Sequence, residues 1–320
     1  MIRFVRTLLV LSCLPACQAL AQTYPTKPIT IVVAYPAGGA TDVIARSVAQ
    51  RVSSAWGRSI IIDNKGGAST QIGATYVSKS AADGYTLLAT DETTFTNPYL
   101  YSKLSYDPAK DFTPVTGLGI IHQMLVVHPS FPARNVTDLI ASARAAPGEL
   151  NYATLGVGSS SHLSMEMLQS MAGVKLSPVH YRGGAPALTD VIGGHIPIVF
   201  LSATLIAQPA KAGQLRPLAA GSSRRLAQFP ELPTVAEALP GYESTVWFGL
   251  FAPRETPQHI VTILNTEVQK VLADPEFRDT FLAPNFYEPI IASPEQFARY
   301  VQLEALKWGK VVQDAKLSLN

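Results

Sequence analysis

The sequence predicts an α/β protein of two domains, each a mainly parallel sheet flanked by helices, with two chain crossings between them. Three observations carry this. Apolar runs of strand length alternate with helical patterns, as in parallel sheets covered on both faces. The alternation pauses at an extended stretch, 113–128, and then begins again. Four times an apolar run meets a Gly- or Ser-rich turn and a helical pattern starts at once.

The first strand is expected at Ile29–Ala34, a continuous apolar run that suits burial on both faces. It ends in the turn Tyr35-Pro36-Ala37-Gly38-Gly39-Ala40, and a helix from about Thr41 to Ser54 follows. Ser59–Asn64 reads as the second strand, Lys65–Thr70 as its turn and Gln71–Lys79 as the second helix. Asp83-Gly84 marks a further turn, and Tyr85–Thr90 reads as the third strand. Three strands joined by two helices imply a parallel sheet with helices on both faces.

Thr113–His128 is too long for an ordinary strand and is expected to cross between domains. Beyond Pro129 the alternation resumes with a helix at Val136–Ala145, a strand at Leu150–Thr154, a turn at Gly156–His162 and a helix at Leu163–Ala172. The last has Leu163, Met167 and Met171 at spacings of four. Ser177–Tyr181 is a strand, Arg182–Pro186 a turn, Ala187–Ile192 a helix and Ile196–Leu201 a strand. A helix near Leu205–Ala212 and a strand at Leu215–Ala219 close this half, and Glu237–Thr245 leads back. A strand at Val246–Phe251 is followed by a helix at Pro257–Ala273, whose Ile260, Leu264 and Val268 form an apolar stripe. A terminal helix at Pro294–Leu317 is expected to pack through Phe297, Val301, Leu303 and Trp308. The expected domains are therefore 22–122 with 246–320, and 123–245, with a ligand cleft between them.

The first 21 residues read as an export signal: Arg3 and Arg6, a short apolar run at Leu8–Leu11, and the cleavage pattern Ala19-Leu20-Ala21. That places the mature chain in the periplasm, with Gln22 as its first residue. Leu14-Pro15-Ala16-Cys17 resembles a lipobox, but proline before the small residue fits poorly, so lipid anchoring through Cys17 is the less favoured reading. Both cysteines, Cys13 and Cys17, lie in the signal, which leaves the mature chain without disulfides, cysteine metal sites or a catalytic thiol. Removing 21 of 320 residues leaves 299, enough for about two domains. With 47% hydrophobic and 15% charged residues the cores are large, and a net charge of +2 without basic clusters argues against nucleic acid.

The four turns, Pro36–Asp42, Gly66–Thr70, Thr154–His162 and Tyr181–Gly184, share one chemistry. In open α/β sheets ligands sit beyond the carboxyl ends of the strands. Helix N-termini carry unpaired N–H groups and positive dipole ends, which suit an anion without any Lys or Arg. Tyr35, Pro36, Gly38, Gly39, Ser69, Thr70, Thr154, Gly158, Ser159, Ser160, His162, Tyr181 and Gly183 are the candidate ligand-binding residues. Asp42 belongs to the first helical turn, where the dipole favours its charge, and is not expected to touch ligand. Tyr35, Tyr181 and Trp247 are candidate pocket aromatics, although aromatics beside turns often simply pack.

No catalytic residue, metal ligand or cofactor is assigned. The G-x-S-x-G elbow is absent, and no carboxylate orients a Ser159–His162 pair. His162 and Glu166 share a helix face, but no H-E-x-x-H and no third ligand accompany them. Gly156-Val157-Gly158 lacks the rest of a dinucleotide fingerprint. Asp91-Glu92 follows the third strand; facing the cleft, this pair would oppose a bare dicarboxylate and favour a ligand with an amine or hydroxyl.

These stretches together resemble the Bug-type solute receptors of tripartite tricarboxylate transporters over nearly the whole mature chain. The resemblance rests on Tyr35–Arg46, Gly73-Ala74, Ala82–Leu88, Tyr106–Phe112, Gly156–Leu163 with Glu166, Tyr181–Asp190, and Pro240–Glu243 followed by Trp247. It implies a two-domain periplasmic binding protein (Venus flytrap) that closes over a small carboxylate or related solute, held by backbone amides, hydroxyls and bridging waters. It also implies the integral-membrane transporter subunits as partners, and a monomer is expected. Two alternatives stay open: a ligand-sensing partner of a membrane sensor kinase, and an exported enzyme acting on a small organic acid. The second turn departs from the family's Gly pair. Here Gly67-Ala68-Ser69-Thr70 is expected to narrow that part of the cleft, add two hydroxyls and change the ligand.

Overall fold

A computed structural model describes residues 24–319. The expected signal, with Cys13, Cys17, the Ala21 cleavage site and Gln22, lies outside the described residues.

The first half starts with β1 (Ile29–Val33), which runs parallel between β2 (Ile60–Asn64) and β3 (Thr86–Asp91). Its near-complete burial explains the unbroken apolar run. Helix α1 (Ala40–Trp56) connects β1 to β2 and ends on Gly57 in the left-handed region, and α2 (Gln71–Ser78) connects β2 to β3. Helix α3 (Glu92–Leu100) follows β3 without a loop and has no counterpart in the sequence reading. Its threonines and the internal Pro98 hide the helical signal. Asp91 starts it, accepting a hydrogen bond from the Thr93 amide at 3.0 Å.

Strand β4 (Phe112–Val127) is the long extended stretch. From Phe112 to His122 it pairs antiparallel with β9 (Thr245–Pro253), and from Gln123 to Val127 it pairs with β7 (Ile198–Ser202). One strand therefore serves two sheets. Its far part also pairs with β8 (Arg216–Ala220) and its middle with β10 (Tyr287–Glu288). In the second half β5 (Asn151–Thr154) lies parallel between β6 (Ser177–His180) and β7. Helices α4 (Val136–Ala145), α5 (Ser160–Ala172), α6 (Gly184–Ile192) and α7 (Ala203–Lys211) flank it. The order β2-β1-β3-β9-β4-β7-β5-β6 thus holds two parallel trios joined through antiparallel β9 and β4.

Helix α8 (Gln258–Ala273) covers the first sheet through Ile260, Val261, Leu264 and Val268, as the stripe predicted. A short turn, α9 (Pro275–Phe277), precedes β10, and α10 (Pro294–Asp314) closes the chain. α10 reaches both halves. Phe297 and Val301 pack with Trp247 and Phe251, whereas Trp308 and Val312 pack with Leu139, Tyr152 and Leu168. Leu303 was expected in this stripe but is 66% exposed. It stands two residues from Val301, on the opposite face of a 3.6-residue helix. Met171 is likewise 41% exposed, because repeated steps of four drift off one helix face. Trp247 is a core residue, packed at tilted and edge-on angles among Phe95, Phe251 and Phe297.

Candidate functional site

The first turn is held from behind. Asp42 accepts hydrogen bonds from the Gly38 amide at 3.0 Å, Asn64 Nδ2 at 2.9 Å and Arg46 Nη2 at 2.7 Å. Burial works against its charge, but these three donors prevail and keep the carboxyl below the ordinary range. Asn64 Nδ2 also reaches the Tyr35 carbonyl at 3.1 Å. Gly66 lies against this turn so closely that a Cβ there would sit 2.8 Å from Pro36. Gly39 then starts α1 with no side-chain cap, so the first N–H groups of that helix are left for another acceptor.

The third turn is built around hydroxyls. Ser159 caps α5 by accepting from the His162 amide at 3.4 Å, and its own hydroxyl donates to the Gly156 carbonyl at 2.7 Å. Thr154 Oγ1 accepts from the Gly156 amide at 3.1 Å and pairs with His180 Nδ1 at 2.7 Å. The buried His162 ring accepts the Gly158 amide on Nδ1 at 3.1 Å, and its Nε2 lies 3.5 Å from Glu166. The Ser159 hydroxyl therefore meets the His162 backbone, not its ring. Burial of Glu166 is outweighed by contacts from His162, Tyr152 and Gln169, which lower its carboxyl below the ordinary range.

Between the halves lies a cavity of about 170 Å³. From the first half it is bordered by Tyr35, the α1 start (Gly39, Ala40, Thr41) and Asp91 at the end of β3. From the second half come Gln123, Ser160 at the start of α5, and Ser202, which begins α7 without a side-chain cap. Ile121, Leu155, Leu201, Leu205, Val246 and Phe248 supply apolar walls. Two uncapped helix starts, several hydroxyls and an apolar body suit a small ligand with polar ends.

Of the residues the sequence singled out, Tyr35, Gly39 and Ser160 border this cavity. Pro36 and Gly38 shape the turn behind it. Thr154, Gly158, Ser159 and His162 support the α5 start from within the loop. Tyr181 donates to Asp190 at 2.6 Å, and Gly183, at φ +110°, starts α6.

The second turn is a correction. Ser69 pairs with the Tyr101 hydroxyl at 3.0 Å, and Thr70, only 1% exposed, accepts from Thr94 at 2.9 Å. Neither borders the cavity: Thr70 is buried against α3, and the exposed Ser69 is tied to Tyr101 just past its end. The turn also holds Ala68, Ser69 and Thr70 at positive φ, an arrangement three non-glycine residues adopt only under tertiary constraint.

Gln123 escaped the sequence reading. It is the buried polar residue where β4 changes partners, within an otherwise apolar stretch, and that contrast was the available signal. Its Nε2 donates to Ser160 Oγ at 3.2 Å, and its Oε1 accepts from Ser164 at 2.6 Å and Ser244 at 2.9 Å. Among the described residues no group of three or more His, Cys, Asp or Glu is placed to hold a metal, and no helix is long and apolar enough to cross a membrane.

Residues 44–317 match the family model described as tripartite tricarboxylate transporter family receptor. BugT of Bordetella pertussis is 33% identical over 94% of this chain and 93% of its own length. A structure of an R. palustris protein with adipate is 40% identical, with a TM-score of 0.83 over 92% of this chain and all of that one. MatC of Rhodopseudomonas palustris, solved with bound malate, is 32% identical, with a TM-score of 0.77 over 90% of this chain and all of that one.

Proposed function

The chain belongs to the receptor family of the tripartite tricarboxylate transporters, and from that premise we propose that it captures a small carboxylate in the cavity between its halves. The observation that carries this is the convergence of the α1, α5 and α7 starts on one cavity that also has an apolar wall of Ile121, Leu155, Leu201, Leu205, Val246 and Phe248. An anion there gains N–H and hydroxyl donors without a basic side chain. The R. palustris relatives solved with adipate and with malate supply the ligand class.

In this proposal 22–122 with 246–320 form one jaw and 123–245 the other, with the far end of α10 (Trp308, Val312) reaching across onto the second core, and closure is driven by contacts made from both sides. Ala40, Thr41, Ser160 and Ser202 carry the ligand's carboxylates; Tyr35 and Gly39 border it. The protein serves as a periplasmic receptor that delivers solute to the membrane subunits of a tripartite transporter and does no chemistry on it.

Calorimetry on the mature chain with adipate and malate tests this. Binding of at least one acid is expected, with Ser160→Ala weakening it roughly 10-fold or more, the worth of a hydrogen bond to a charged group. Absence of heat with all small carboxylates, or an unchanged affinity in Ser160→Ala, would overturn it.

A further inference from the structure

Among the described residues Asp91 is the one charged side chain bordering the cavity, and no Lys, Arg or His of them borders it. It is 8% exposed. Its two donors, the Tyr35 hydroxyl at 2.8 Å and the Thr93 amide at 3.0 Å, both go to Oδ1. Among the described residues Oδ2 receives no protein donor. Capping α3 needs only one oxygen, and an asparagine would cap as well. A carboxylate at this place is therefore more than the helix requires. Next to it, a second carboxylate from a ligand would meet like charge at a largely buried position, where screening is weak. An ammonium group would meet an unoccupied acceptor of opposite charge.

We propose that Asp91 makes this receptor select carboxylates that also carry an ammonium group, which it holds through Oδ2 while the helix starts hold the carboxylate. This rests on the carboxylate-receptor reading above. Tyr35 acts as the positioning residue: its hydroxyl fixes Oδ1 and so aims Oδ2 at the ligand.

The test compares acids matched in length, with and without the amine: 6-aminohexanoate against adipate, and glutamate against glutarate. Calorimetry is run on the mature chain and on Asp91→Asn. In the unchanged protein the amino member of at least one pair is expected to bind 10-fold or more tighter. Asp91→Asn is expected to shift that ratio at least 10-fold toward the plain dicarboxylate, with little change in thermal midpoint because the cap is kept. Plain dicarboxylates binding as tightly as their amino partners, or a ratio that Asp91→Asn leaves unchanged, would overturn the Asp91 assignment and leave the receptor reading standing. Binding of neither kind of acid would overturn both.

Discussion

Glu92, next to Asp91, shows how far neighbours in sequence can differ in role. It is 3% exposed, does not border the cavity, and among the described residues its Oε2 has no partner. Burial, and then the Asp91 charge, push its carboxyl well above the ordinary range. The folded chain therefore keeps a proton that the unfolded chain releases. Stability falls as pH rises from the ordinary carboxylate range toward the raised folded value. Glu92→Gln is expected to remove that slope, so the variant gains thermal midpoint over the parent between mildly acid and neutral pH. A difference that stays flat across pH would contradict a protonated Glu92. At Gly66, addition of a methyl group drives Cβ into Pro36 at 2.8 Å. Gly66→Ala is expected to cost about 1–3 kcal/mol, as overpacking does, readable in urea unfolding, and to weaken ligand binding because the first turn must shift.

At the scale of elements, α1 and its turn depend on the Asp42 clamp. Asp42→Ala leaves the Gly38 amide and Asn64 without their acceptor. Loss of this partly buried network is expected to cost about 1–3 kcal/mol, with the ligand affinity falling alongside. Affinity that survives such a loss of stability would show that the turn is not aimed by Asp42. The strands and the long amphipathic helices were legible because burial on known faces leaves a period in the sequence. α3 was not legible, since Pro98 and a threonine-rich face mask its period, and its position is set by packing against α10 and the second turn. That packing also explains why Ser69 and Thr70 are absent from the cavity.

The whole molecule is two α/β bodies sharing β4, with β9 returning and α10 lying over both cores. Closure by ligand is expected to lower the radius of gyration in X-ray scattering. Ligand at 100 times its Kd adds about 2.7 kcal/mol to stability, so the thermal midpoint rises in step with scattering. A midpoint that rises without compaction would mean binding to one jaw alone. In the proposed closure α10 is expected to limit how the jaws move, because Trp308 and Val312 belong to the second core while Phe297 and Val301 belong to the first. Any hinge must therefore bend α10 or slide its end.

The sequence by itself determined the strand–helix alternation, the double α/β plan, the crossing at β4 and the first and third turns as places where helix starts border a cavity. These follow from local chemistry: burial period, glycine at turns, hydroxyls at helix starts. Only the tertiary structure decided which residues of those turns reach the cavity. Tyr35, Gly39 and Ser160 do, Thr70 and His162 do not; Asp91 and Ser202 join them from strand ends and Gln123 from inside β4. The physical reason is that a turn exposes some groups and spends others on itself, and that division depends on what packs behind it. Asn64, α3 and Gln123 settle it here from segments distant in the chain.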